Sequence, residues 1–196
     1  MITVNITRKS FGATEVLRDI RFSVASGETV ALQGPSGIGK TTLLRLIAGI
    51  DPGFDGDIIR PEKIAIVFQN PTLLPWRTVL QNITLVHPTL TPDAARAALE
   101  KVGIADKAGL FPGQLSMGQQ RRLALARAFA SSPDLLILDE PFVSLDAERA
   151  DEMLRLTEAL IHEVRPATIF VTHAPDEAAR LSDRVLTLGG QPATLV

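Results

Sequence analysis

The chain has 196 residues, with 20 Lys plus Arg against 22 Asp plus Glu and a formal net charge of −2, which argues against a general electrostatic grip on nucleic acid or anionic lipid. Hydrophobic residues make up 45% and charged residues 21%, the balance of a chain that buries a core. No apolar run approaches the roughly 18 residues of a bilayer span, no signal-peptide core surrounds Arg8 and Lys9, and with no cysteine any metal must be held by oxygen or His; the expectation is one domain, kept in the cytosol.

In chain order, alternating Ile2, Val4 and Ile6, then Ile20, Phe22 and Val24 before a turn at 25–28, predict two strands that pair antiparallel. Thr29 to Gln33 reads as a buried strand, followed by a glycine-rich loop and a helix from Thr41 to Ala48 that stops at Gly49. Short apolar runs at 63–68, 135–138, 168–171 and 185–188, with helical segments between several of them, have the composition of buried parallel strands. From Pro71 to about Ala130 the pattern is helical. Thr91 caps one helix, with Pro92 at its first position, Asp93 in its first turn and Gly103 past its end; a second runs from about Ser116 to Ala130. The expected architecture is α/β: a mostly parallel sheet flanked by helices, an N-terminal antiparallel part, and a helical subdomain at about 71–130 inserted in a core of about 1–70 and 131–196.

Gly34-Pro35-Ser36-Gly37-Ile38-Gly39-Lys40-Thr41 matches the P-loop pattern between a predicted strand and a predicted helix. Its glycines let backbone N–H groups converge on phosphate, the helix adds its positive end, Lys40 reaches the β- and γ-phosphates, and the Thr41 hydroxyl ligates Mg²⁺. Thr42 completes this phosphate-binding stretch. Asp139 and Glu140 close a buried strand at its carboxyl edge, where open α/β sheets place their chemistry. Asp139 is expected to hold Mg²⁺ and Glu140 to orient or deprotonate the attacking water; Pro141 and Phe142 argue against the pair simply starting a helix.

With these residues in view, the chain resembles the nucleotide-binding subunit of ATP-binding cassette (ABC) transporters over nearly its whole length. The family signature Leu-Ser-Gly-Gly-Gln stands as Leu115-Ser116-Met117-Gly118-Gln119. The resemblance implies that Ser116, Met117, Gly118 and Gln119 of a second copy cover ATP at the first copy's P-loop. It also implies that Asp146, in Ser144-Leu145-Asp146, crosses the dimer interface, that Gln69 approaches Mg²⁺ and the attacking water, and that His173 bonds the γ-phosphate. Phe11 resembles the aromatic residue that stacks on adenine, although burial in the core would also explain a Phe there. Arg121, Arg122 and Arg127 read as a solvated helix face. Met117 departs from the family's first signature glycine, and Ala174 follows His173 where members usually have Asp. The stretch 49–63 is short, and no added regulatory domain is expected.

The implied function is that of an ATP-hydrolysing motor, dimerising head-to-tail around two MgATP and driving a permease on a separate chain. It would sit on the inner face of the membrane, with a solute-binding protein engaged indirectly and no nucleic acid partner. Asn70 to Val79 resembles the segment after the glutamine in importers of nitrate, sulfonate, taurine and related small organic solutes or anions. Leu73, Leu74 and Trp76 then either help form the groove that receives the permease or fill a small core. The alternative is a soluble family ATPase with no permease; the absence of long coiled-coil insertions and of a second cassette counts against it.

Overall fold

A computed structural model describes residues 1–196. Chain contacts divide it into two compact units, one formed by 1–66, 134–140 and 165–196 and the other by 67–133 and 141–164.

In the first unit, β1 (Ile2–Phe11) pairs antiparallel with β2 (Thr14–Val24), Ile2 facing Val24 and Phe11 facing Thr14. On its other side β1 pairs antiparallel with β4 (Asp55–Ile59). The larger sheet runs in the order β5 (Ile64–Val67), β6 (Leu135–Asp139), β7 (Ala167–Val171), β3 (Thr29–Gln33), β8 (Arg184–Gly189), β9 (Thr194–Leu195). The ladders joining β6, β7, β3 and β8 are parallel, and the short β9 is antiparallel to β8.

One helix ties the two sheets together. In α1 (Lys40–Ile47), Leu43, Leu44, Leu46 and Ile47 are buried in a core shared with Ile2, Val4 and Ile6 of β1, Ile20 and Val24 of β2, and Val30, Leu32, Leu135, Ile137, Ile169 and Val171 of the parallel strands. The intervening Ala31, Leu136 and Phe170 are buried too, so both faces of the central strands are covered. This is why these strands read as continuous apolar runs, whereas β1 alternates. Each fully buried Leu or Ile contributes about 2 kcal/mol of hydrophobic stabilisation. Gly49, at φ 74°, ends α1 in a conformation that a side chain resists.

The second unit is helical. It contains α2 (Val79–Thr84), α3 (Pro92–Lys101), α4 (Met117–Phe129) and α5 (Ala147–Val164). Thr91 caps α3 by accepting a bond from Ala94 N, with Pro92 at the first position as expected. On α5 the buried residues Met153, Leu154, Thr157 and Leu160 recur at helical spacing along one stripe. Lys101 of α3 pairs with Glu163 of α5 at 2.5 Å, and Arg122 of α4 with Glu152 of α5 at 2.5 Å. A last helix, α6 (Pro175–Leu181), belongs to the first unit and follows β7.

The arginines of α4 do not form a solvated face. Arg121 is only 8% exposed, donates to Val143 O at 2.6 Å and leaves Nε and Nη1 without hydrogen-bond partners. Arg122 donates to Val102 O at 2.7 Å, and Arg127 to Thr72 O at 2.7 Å. The helix lies within a packed unit, so its long cationic side chains reach inward to loop carbonyls rather than outward to water. No helix is long and apolar enough to cross a membrane.

Candidate functional site

The site grows from the carboxyl ends of three parallel strands. After β3 the chain turns through Gly34 to Gly39 before entering α1. Gly34 has φ 150°, and a Cβ there would lie 2.7 Å from Leu188 O, so the loop can pass over β8 only without a side chain. Gly39 has φ 113°, and its Cβ would meet Val16 and Leu17 side-chain carbons of β2 at 3.0 Å. It occupies the cap position of α1, and no side chain caps that end of the helix. A helix terminus of this kind offers its backbone N–H groups to an anion.

Lys40 is 6% exposed and donates from Nζ to Gly34 O at 2.9 Å and Pro35 O at 3.0 Å. Burial pushes its pKa down, while the nearby Glu140 and Asp139 carboxylates oppose that shift. Thr41 Oγ1 donates to Asp139 Oδ2 at the long distance of 3.5 Å. Burial first, and then the Glu140 charge, raise the Asp139 pKa, with Thr41 and Lys40 pulling it back. A cation beside Asp139 would relieve both unfavourable causes. No group of three His, Asp or Glu side chains is arranged to hold a metal ion. A pair of hard oxygen donors such as Thr41 and Asp139 instead fits Mg²⁺, which keeps waters and substrate phosphate oxygens among its ligands.

Glu140 follows β6 with φ 49°, a left-handed conformation uncommon for a residue with a side chain. Two contacts hold it there: its N–H donates to Val171 O at 3.1 Å, and Oε1 lies 2.9 Å from His173 Nε2. His173 follows β7. Its neighbour Thr172 accepts from Ala174 N at 3.0 Å and donates to Glu177, which fixes the turn that carries the imidazole. Sequence reading missed Thr172 as a support, although a hydroxyl two residues before a turn N–H is the usual mark of such a turn. Ser36, Gly37, Gly39, Lys40, Thr41, Thr42, Glu140 and His173 together line one open cleft.

Phe11 lies at the end of the β1–β2 hairpin and is 55% exposed, so it is not a core residue. Its partner Thr14 lies only two to three residues along β2 from Val16 and Leu17, which touch Gly39. At about 3.3 Å per residue, the backbone of Phe11's partner is therefore about 10 Å or less along the strand from the residues beside Gly39.

The remaining expected residues belong to the second unit. Gln69 is exposed just after β5. Ser116 caps α4: its hydroxyl accepts from Gln119 N at 3.3 Å, and Gln119 Oε1 accepts from Ser116 N at 2.9 Å. Met117 is 58% exposed, and Gly118 has open space where a Cβ would be. Asp146 caps α5 by accepting from Arg149 N at 3.0 Å. Trp76 is 67% exposed and fills no core. Its loop is held by Asn82, which is fully buried, accepts from Leu74 N at 2.7 Å and donates to the carbonyls of Leu74, Arg77 and Thr78. Nothing in the sequence around Asn82 distinguishes it from an ordinary helix asparagine.

The family model of the ABC transporter matches residues 17–143. This chain belongs to the ABC transporter family. It is 47% identical over 194 residues, 96% of its length and 79% of the relative's, to the aliphatic sulfonates import ATP-binding protein SsuB of Mycobacterium sp. (strain MCS). It is also 47% identical over 189 residues, 95% of its length and 70% of the relative's, to SsuB 3 of Rhodococcus jostii (strain RHA1). Among solved structures it resembles the dimeric post-hydrolysis state of the ATP-binding cassette MJ0796 bound to ADP and Pi. The TM-score is 0.84 at 26% identity, covering 100% of this chain and 96% of that one. As an ABC ATPase the chain binds and hydrolyses ATP.

Proposed function

We propose that this ABC ATPase drives import of a small organic sulfonate or related anion through permease subunits on a separate chain. The observation that carries the reading is similarity to sulfonate-import ATPases across 96% of the chain. On this reading the protein works at the inner face of the membrane as a head-to-tail homodimer around two MgATP, and a solute-binding protein delivers cargo on the far side. All 196 residues then form one ABC ATPase domain, the helical part inserted in the core.

In the proposed mechanism, backbone N–H groups from Gly34 to Thr42 and the N-terminus of α1 bind the phosphates, while Lys40 leaves its two carbonyls for the β- and γ-phosphates. Thr41, Asp139 and Gln69 are the residues that would hold Mg²⁺, which when bound would neutralise developing phosphate charge. Glu140 orients or deprotonates the attacking water, and His173, whose Nε2 lies 2.9 Å from Glu140 Oε1, bonds the γ-phosphate. Ser116 to Gln119 of the second copy cover the nucleotide, with Asp146 alongside. For Ser116 this means donating its O–H to phosphate while its oxygen keeps accepting from Gln119 N. Leu73, Leu74 and the exposed Trp76, on a loop fixed by Asn82, receive the permease.

The test is to purify the tagged chain at native levels from detergent-solubilised membranes and identify its companions. Co-purification of a permease is expected, with ATPase activity that rises when a sulfonate and its binding protein are added. Recovery from the soluble fraction alone, without a membrane partner, would replace the transporter reading with that of a soluble ABC ATPase.

A further inference from the structure

Lys9 is a lysine only 4% exposed on a strand of an otherwise ordinary hairpin, and the chemistry above makes no use of it. Burying an ammonium is costly unless each of its three donors finds a partner. Its Nζ donates to Asp51 Oδ2 at 2.6 Å and to Gly53 O at 2.6 Å, both in the turn between α1 and β4. The same nitrogen sits 4.5 Å from the centroid of the Phe11 ring, so the third donor faces the π cloud. The turn is itself held shut, since Asp51 Oδ1 accepts from Gly53 N at 2.9 Å. The ammonium is thus fixed from the turn, and one face of the ring is fixed by the ammonium.

We propose that Lys9 is a positioning and specificity residue for the nucleotide base. It occupies one face of Phe11 and leaves the other as a single-sided platform for a purine. This rests on the assignment of Phe11 as the stacking aromatic. Two physical consequences follow from a cation on the far face. The ring loses rotational freedom, so less entropy is spent when a base settles on it. The cation also draws electron density from the ring, which makes the open face a better match for the electron-rich, wide purine than for a pyrimidine. An exposed Phe without such a brace would offer either face and a looser one.

Calorimetric titration of the full chain with ATP, CTP and inorganic triphosphate tests this. Lys9→Met is expected to weaken ATP binding about three- to tenfold, to narrow the preference for ATP over CTP, and to leave triphosphate binding within about twofold. Phe11→Ala should cause a loss of similar size, and the double variant no more than the larger single loss, because the two residues act as a unit. Lys9→Arg, which keeps a cation over the ring, should restore most of the preference. If Lys9→Met does not fold, Asp51→Asn, which loosens the brace, should show the same split between ATP and triphosphate.

Equal losses for ATP and triphosphate would make Lys9 merely structural and overturn the proposal. Normal ATP binding by Lys9→Met beside weakened binding by Phe11→Ala would overturn it while leaving the base platform standing. Normal ATP binding by Phe11→Ala would remove the platform and the proposal together.

Discussion

Two helix N-termini in this chain follow glycine- or serine-marked loops, and they are finished in opposite ways. At α1 the cap residue is Gly39, with no side chain bonded to the helix end; at α4 Ser116 and Gln119 satisfy one another in a reciprocal box. Both present positive backbone ends. The first is built to be completed by an anion, with Lys40 beside it. The second already has its Gln119 N–H satisfied by the Ser116 hydroxyl oxygen, which leaves the Ser116 O–H as the group that can donate to a phosphate. On the proposed mechanism the P-loop end supplies affinity, and the signature end supplies a contact that forms only on closure.

Substitutions can break or sharpen this contrast. The largest effect is expected at Glu140, where Gln should lower kcat about a thousandfold while ATP still binds and holds the closed dimer, as read by steady-state turnover and size-exclusion chromatography; wild-type turnover would remove the general-base assignment. Lys40→Ala should weaken ATP binding about a hundredfold in a titration, as expected for loss of a direct phosphate contact at the open terminus. Ser116→Ala removes a cap that α1 never had, so it should cost about 1 kcal/mol and lower Tm by about 3 °C, and slow turnover by more than that loss explains. Unchanged stability and turnover would show the two termini to be less different than their geometry. Trp76→Ala should leave basal ATP hydrolysis within about twofold, because the residue is exposed and far in sequence from the cleft, yet reduce hydrolysis in the permease complex; equal coupled rates would refute docking at this loop.

The smallest effect is electrostatic. Burial and the Glu140 charge raise the Asp139 pKa, so the folded chain binds that proton more tightly than the unfolded chain does. The resulting stabilisation is complete below the ordinary aspartate pKa and is lost as pH rises through the raised folded value. Melting without nucleotide should therefore show Asp139→Asn gaining on the wild type as pH rises through that window, and a constant difference would refute the assignment.

What could be read from the sequence follows from how local each signal is. The buried parallel strands announce themselves because both faces are apolar, and the P-loop, Asp139, Glu140 and His173 because each ends such a strand. β4 gave no such signal: Asp55–Ile59 carries two aspartates and a glycine, lies at a sheet edge and is defined mainly by its pairing with β1. Gly56 shows how non-local that pairing is, since a Cβ there would lie 2.2 Å from Asn5 O. The inward-turned arginines of α4, the four bonds of Asn82 and the Lys9 brace were likewise invisible, because they rest on backbone groups and, for Lys9, on a turn more than forty residues away in sequence.

The left-handed backbone at Glu140 sets stability and function against each other at a single residue. A glycine would relax into that φ and relieve about 1 kcal/mol of conformational strain. It would also delete the carboxylate assigned to the water. Selection for robustness alone would therefore favour a sturdier chain that grips nucleotide and never turns it over, and only demand for turnover keeps glutamate in place.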